Sequence, residues 1–425
     1  MNYEQTLKYL YNRLPVFFQV GSSAYKPGLD NTIRLMTALE QPHTHYRTIH
    51  VAGTNGKGSV SHFLSAILQE AGYKVGLYTS PHLVDFGERI RVDGKMIERQ
   101  YVIDFVNQNK SLFSEIEPSF FEATMAMAFQ YFADSKVDVA IIEVGLGGRL
   151  DSTNIIQPEL SIITNISFDH IGFLGDTLEK IAFEKAGIIK KGIPVVIGET
   201  LPETLPVFLQ KAKEMNSSIF FAERNKIIEL QGFESGRMLV QVDNEKNYKI
   251  GLTGQYQIKN IATVLTAVEQ LNDLDFQINE NQLKSGLENV VEITGLKGRW
   301  QLLQTHPTII ADTGHNTAGI SFVVNQLKEQ TYKTLRIVIG MVNDKDISAV
   351  LLLLPKDAVY YFTQAHIERA LPAVELQSRA QSIGLKGRSY SSIKQAVESA
   401  KNDADSDDLI FIGGSNFVVG EALSS

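Results

Sequence analysis

Thr48-Ile49-His50-Val51-Ala52-Gly53-Thr54-Asn55-Gly56-Lys57-Gly58-Ser59 decides how this chain is read. Thr48 to Val51 form an apolar run that reads as a buried strand, and Val60 to Leu68 carry apolar residues at helical spacing. A strand, a glycine-rich turn and a helix make the geometry that holds a polyphosphate. Glycines let the backbone approach the anion, the N–H groups at the helix start point at it, and Lys57 adds a full positive charge. The strict phosphate-loop pattern wants glycine where Val51 stands, and Ser or Thr where Gly58 stands; Ser59 is the nearest hydroxyl. The plain alternative is a glycine-rich turn with a surface lysine, and the flanking strand and helix argue against it. The stretch predicts a site for ATP or GTP.

Working outward, strands and helices alternate through the first two-thirds of the chain. Strands are predicted at Thr48–Val51, Lys74–Tyr78, Val137–Glu143, Leu160–Asn165 and Pro194–Ile197, with helices such as Phe120–Phe132 and Thr177–Ile189 between them. The alternation predicts an α/β fold, a doubly wound and mostly parallel sheet with helices on both faces. Ligands of such sheets sit beyond the carboxyl ends of the strands, so the loops after Val51, Tyr78, Ile142 and Ile163 are the places to search. From about Ser218 to Ile250, short alternating runs predict a small antiparallel meander, followed by helices at Tyr256–Leu271 and Asn281–Asn289. Glu292 to Gly298 has two glycines and no periodicity and reads as a hinge. Beyond it, strands at Thr308–Ala311, Leu335–Ile339, Ala358–Phe362 and Leu409–Ile412 predict a smaller, Rossmann-like α/β domain. The expected division is 1–294 and 295–425.

A chain of 425 residues exceeds one ordinary core, which fits two domains. The absence of cysteine excludes disulfides, cysteine metal sites and thiol nucleophiles, and suits a cytoplasmic setting. No signal peptide is expected from the first residues, and no apolar run is long enough to cross a bilayer. A net charge of −8 disfavours non-specific nucleic-acid binding.

Each loop singled out holds polar residues of a useful kind: Ser80 and His82 after the second strand, Glu143 before Val144-Gly145-Leu146-Gly147-Gly148, and Asp169-His170 after another. Hard oxygen ligands suit Mg²⁺, which shares the nucleotide's phosphates; an imidazole suits it less. Ser80 reads equally as a turn hydroxyl and His170 as a helix-start histidine, whereas a lone carboxylate such as Glu143 at the end of an apolar strand needs a partner. Lys185 alone reads as an exposed helix lysine. Arg299, directly after the hinge, suits phosphates across a cleft. Asp312-Thr313-Gly314-His315-Asn316 follows a strand; Asp312 suits ribose hydroxyls and His315 a base, but helix capping by Asp312 or Asn316 explains the run as well.

Together the motifs resemble the Mur ligase superfamily, and within it the folylpolyglutamate and dihydrofolate synthases. The matching pieces are Ala52–Ser59, Tyr78–Leu83, Phe121-Glu122, Glu143–Asn154, Asp169-His170, Glu184–Ile188, Gly298-Arg299 and Asp312–Asn316, in family order over most of the chain. The resemblance implies that Thr54, Asn55, Gly56, Lys57, Gly58 and Ser59 bind ATP, joined by Asn260, Arg299, Asp312 and His315. It implies that Ser80, Glu143 and His170 hold Mg²⁺. Lys185 matches a position that is carbamylated in the family, where it helps a second Mg²⁺; a desolvated lysine has the lowered pKa this requires. Lys57, Lys185 and His170 form the implied catalytic set, and Phe121, Leu150 and Asp151 the implied contacts to dihydropteroate or a reduced folate. Tyr25 and Lys26, in Gly21–Asp30, fall where pterin-binding loops occur in the family. A monovalent cation is a further cofactor the resemblance admits.

The implied reaction joins L-glutamate to a folate carboxylate through an acyl phosphate. Gly147-Gly148-Arg149-Leu150-Asp151 is similar to the bifunctional bacterial type, which also adds the first glutamate; chain extension alone is the other reading. The implied enzyme is a cytoplasmic monomer without nucleic-acid or membrane partners. Among rivals, a ligase acting on nucleotide-linked muramyl precursors needs an extra N-terminal domain, and only about forty-five residues precede the first strand. A nucleotide switch protein would carry a guanine-reading Asn-Lys-x-Asp pattern, and the chain has none.

Overall fold

The computed structural model describes residues 1–14, 28–343 and 346–424. The first sheet takes β1 (Arg47–Ala52), β2 (Val75–Tyr78), β3 (Ile90–Val92), β4 (Lys95–Met96), β5 (Val139–Glu143), β6 (Leu160–Ile163), β7 (Val195–Ile197) and β8 (Ile219–Phe221). They lie in the order β4-β3-β2-β5-β1-β6-β7-β8, with every pair from β2 to β8 parallel. β1 is buried beyond Arg47, which explains its apolar run: helices cover both faces of a parallel sheet. From β1 the chain passes to β2 on one side and later to β6 on the other. The loop after β1 thus sits at a topological switch point, where such sheets bind ligands.

The meander is β9 (Ile228–Glu234), β10 (Arg237–Val242) and β11 (Lys246–Ile250), antiparallel throughout. It is shorter than expected. Ile219–Phe221 belongs instead to the large sheet, as the parallel edge strand β8. The helix Lys57–Glu70 packs its Phe63, Leu64 and Ile67 against Ile261 and Val264 of the helix Gln257–Asp273 and against Leu287. Full burial of each such side chain contributes about 1.5–3 kcal/mol, and here it fixes where the first turn of the helix points. On the opposite face, the helix Phe120–Asp134 seals the sheet with Met125, Phe129 and Phe132.

The predicted hinge is partly helical: Val290–Thr294 forms a turn that ends at Gly295, in the left-handed region at φ 67°. The C-terminal domain follows, with β12 (Gln301–Thr305), β13 (Thr308–Ala311), β14 (Leu335–Ile339), β15 (Val359–Phe362), β16 (Lys386–Ser389) and β17 (Leu409–Gly413). Their order is β12-β13-β17-β14-β15-β16, parallel except for β12. Four strands lay outside the sequence expectation: β3 and β4, an antiparallel hairpin on the edge beyond β2, and the edge strands β12 and β16. No helix among the described residues is long and apolar enough to cross a membrane.

Candidate active site

The turn after β1 is shaped by two glycines. Gly53, at φ 147°, lies so close to Thr164 that a Cβ would fall 1.8 Å from its Oγ1. Gly56, at φ 84°, would set a Cβ 2.3 Å from Asn260 Oδ1. Residues after β6 hold the turn: Thr54 N donates to Asn165 O (3.0 Å), Asn55 N to Asn165 Oδ1 (3.0 Å) and Ser167 N to Thr54 Oγ1 (3.1 Å). The helix Lys57–Glu70 then starts with no side-chain cap, so its first-turn N–H groups remain available to an anion. Gly56→Ala is expected to lower unfolding stability by about 1–3 kcal/mol, because the added methyl meets both a left-handed backbone and Asn260. Urea titration checks the loss, and a parallel ADP titration should show weakened binding.

Every residue expected at the nucleotide lines one cavity of about 160 Å³: Thr54 to Ser59, Asn260, Arg299, Asp312 and His315. Ser80 and Glu143 line it too. Asn260 Nδ2 donates to Gln257 Oε1 (2.7 Å), and Gln257 Nε2 in turn to Ser59 Oγ (3.1 Å). Arg299 donates to Gly298 O (3.2 Å) and to Thr313 Oγ1, and its Nη2 would lie 3.5 Å from a Cβ on Gly58. Asp312 is deeply buried and its carboxylate is already engaged. It accepts from Tyr256 OH (2.6 Å), Trp300 N (2.7 Å) and Gly314 N (2.7 Å), an arrangement that pins the domain junction. The helix cap anticipated in this run is Asn316, which accepts from Gly319 N (2.9 Å).

A second cavity, of about 280 Å³, adjoins the first and is lined by Phe121, Leu150, Asp151, His170 and Lys185. Thr54, Lys57, Ser80, Pro81, His315 and Asn416 line both, so the two meet at the lysine of the turn. Lys57 Nζ is folded onto Gly53 O (2.9 Å) and Thr54 O (3.2 Å). Lys185 departs from the exposed helix lysine that its sequence context suggests: it is 4% exposed, and its Nζ donates to Gly53 O (2.9 Å). Burial, with the charge of Lys57 adding to it, pulls its pKa down to about 7.

Glu143 ends β5, is buried, and accepts from Ser80 N (3.1 Å). Burial pushes its pKa up, against the pull of Lys57, the Ser80 N–H, Arg299 and Arg89. A desolvated carboxylate beside a serine at a phosphate cavity fits a hard divalent cation. Among the described residues no three His, Cys, Asp or Glu side chains cluster as a self-sufficient metal site. His170, at φ 50°, lines the larger cavity and not the one lined by Glu143.

The profile of the Mur ligase middle domain matches residues 51–268, and that of the Mur ligase glutamate ligase domain residues 298–416. The chain belongs to the Mur ligase family. Within it, this ligase is 35% identical over 415 residues to the dihydrofolate synthase/folylpolyglutamate synthase of Bacillus subtilis, across 93% of this chain and 94% of that one. It superposes on Escherichia coli FolC in complex with DHPP and ADP with a TM-score of 0.85 at 29% identity, covering 100% and 97% of the two chains. A bifunctional folylpolyglutamate synthase/dihydrofolate synthase with Mn, AMPPNP and L-glutamate bound gives a TM-score of 0.84 at 28% identity, covering 100% and 98%. This Mur ligase is an ATP-dependent ligase of the dihydrofolate synthase/folylpolyglutamate synthase branch.

Two residues of the ligase took no part in the sequence-derived site although their motifs were noted. Asn316 Nδ2 donates to Asn55 Oδ1 (3.0 Å) and to Asp169 Oδ2 (3.3 Å), and Asp169 Oδ2 also lies 3.5 Å from His315 Nε2. The C-terminal domain is thus stitched to the phosphate turn through amide side chains. Asp151 accepts from Gly145 N (3.0 Å), Leu146 N (2.8 Å) and Thr153 N (2.9 Å), which shapes the glycine-rich loop at the cavity wall. Tyr25 and Lys26 lie outside the described residues.

Proposed function

We propose that this ligase joins L-glutamate to dihydropteroate and to the γ-carboxylate of folylglutamates, consuming ATP. The carrying observation is the meeting of two cavities at Lys57 and Ser80. One is lined by the phosphate turn and the C-terminal domain, the other by Phe121, Leu150 and Lys185. ATP enters the first and the acceptor the second, which sets the acceptor carboxylate against the γ-phosphate. Attack of that carboxylate gives an acyl phosphate and ADP. The glutamate amine then attacks the acyl carbon, the tetrahedral adduct collapses, and phosphate leaves.

Lys57 and the free N–H groups of the helix start stabilise charge on the transferred phosphoryl group. Arg299 reaches the same cavity from beyond the hinge. Mg²⁺, held by Ser80 and Glu143 with His170 nearer the acceptor, would supply further neutralisation of phosphate charge. The reading gives Lys185 as a carbamate, and admits a monovalent cation. Closure of the C-terminal domain, with Asn316 against Asn55, keeps water from the acyl phosphate.

The working division is 1–294 and 295–425, supported by separate sheets and by the left-handed turn at Gly295. The reading carries a cytoplasmic monomer. Both activities are supported by the name of the Bacillus subtilis relative. Purified protein given ATP, Mg²⁺ and glutamate should release ADP with dihydropteroate in one tube and with a reduced folate in another. Release with the folate alone would reduce the function to chain extension, and release with neither would overturn it.

A further inference from the structure

Arg89 is a buried cation that the chemistry above does not use. It ends the 3₁₀ turn Phe86–Arg89, directly before β3, is 3% exposed, and lines the larger cavity beside Ser119, Phe120 and Phe121. Its Nε donates to His82 Nδ1 (2.7 Å), whose other nitrogen lies 3.4 Å from Tyr11 OH. This fixes the imidazole as a neutral acceptor and orients the guanidinium. The terminal nitrogens of Arg89 hydrogen-bond to no described residue, and no described carboxylate forms an ion pair with it. Its neighbour Glu88 spends its carboxylate on Leu83 N (2.7 Å), Val84 N (3.2 Å) and Asp85 N (3.1 Å). Burial disfavours its charge most, and the nearby carboxylates of Glu143 and Glu88 offset that only in part. A buried guanidinium left this way is costly unless an anion completes it.

We infer that Arg89 receives the aryl carboxylate of the acceptor. The surroundings select that anion. The guanidinium lies 5.2 Å from the Phe120 ring, and Phe121 and Leu150 continue the apolar wall. Aromatic and aliphatic walls ending in a planar fork of donors match an aromatic acid, whose ring packs while its carboxylate is bound. The inference rests on the folate reading and adds a contact that fixes which end of the acceptor lies toward Ser80.

The test is calorimetric titration of the protein saturated with AMPPNP and Mg²⁺, using dihydropteroate and its neutral carboxamide analogue. Arg89→Met should weaken dihydropteroate binding roughly ten- to a hundredfold and leave carboxamide binding at the wild-type level. Arg89→Lys should recover part of the loss. Arg89→Met also takes the donor from His82 Nδ1, so a melting curve is recorded beside the titration, and wild-type carboxamide binding by the folded variant separates lost recognition from misfolding. Equal losses for both ligands, or no loss, would overturn the role of Arg89 while leaving the folate reading intact. Failure of the wild-type protein to bind dihydropteroate would overturn both.

Discussion

Replacing Lys57 with alanine should reduce glutamate-dependent ADP formation by at least about a hundredfold, as expected when a preorganised donor to a charge-developing transition state is lost. Lys57 Nζ contacts two carbonyls of its own turn, Gly53 O and Thr54 O, and forms no ion pair among the described residues. It therefore holds no distant element in place. Gly53 O keeps the Lys185 ammonium as a donor when Lys57 is removed, so the melting midpoint should move by no more than a few degrees. A γ-phosphate entering the turn competes for the same ammonium, which must swing off the carbonyls to follow it. The loss should thus appear in turnover more strongly than in ADP affinity, since ADP lacks the transferred group. A coupled assay for ADP release with acceptor and glutamate present, beside a melting curve, checks both parts. A folded variant with substantial turnover would remove Lys57 from the chemistry.

The phosphate turn was legible because its determinants are local: strand, glycines, lysine and helix are contiguous, and each imposes its geometry on the next. The same holds for Glu143, whose position at the end of an apolar strand signalled a buried carboxylate in need of a partner. What escaped depends on packing between distant segments. The strands β4, β12 and β16 are exposed or half-buried at sheet edges, so they lack the apolar run that marks β1 or β5. Ile219–Phe221 was absorbed into the meander because short apolar runs do not reveal which sheet they join. Lys185 lies on a helix whose polar residues look solvated, and its burial comes from loops distant in sequence, the Gly53 turn among them. Arg89 and Asn316 gain their meaning from His82 and Asn55, contacts that no spacing along the chain announces.

Lys185→Ala should remove most of the ligase activity, with part returning on addition of formate or acetate. Lys57 Nζ and Lys185 Nζ both donate to Gly53 O, at 2.9 Å each, so a protonated Lys185 sets two cations on one oxygen beside the phosphate turn. Burial first, and the charge of Lys57 second, lower its pKa to about 7. Near neutral pH about half of it is then free amine, the form that adds CO₂ to give a carbamate. A carbamate there would convert repulsion from Lys57 into attraction, and a small carboxylate in the space left by alanine would restore the same negative charge. The stability consequence has a definite sign. Between a folded pKa of about 7 and the ordinary lysine value of 10.5, the unfolded chain binds a proton that the folded chain does not. Stability therefore rises as pH increases through that window, and the penalty of burial is fully present below it. Urea midpoints in bicarbonate-free buffer at neutral and at alkaline pH should show this rise in the wild-type protein and lose it in Lys185→Ala. Wild-type activity in the variant, with no response to carboxylates, would make Lys185 a structural residue. An unchanged pH dependence would place its charge in solvent, contrary to its contact with Gly53.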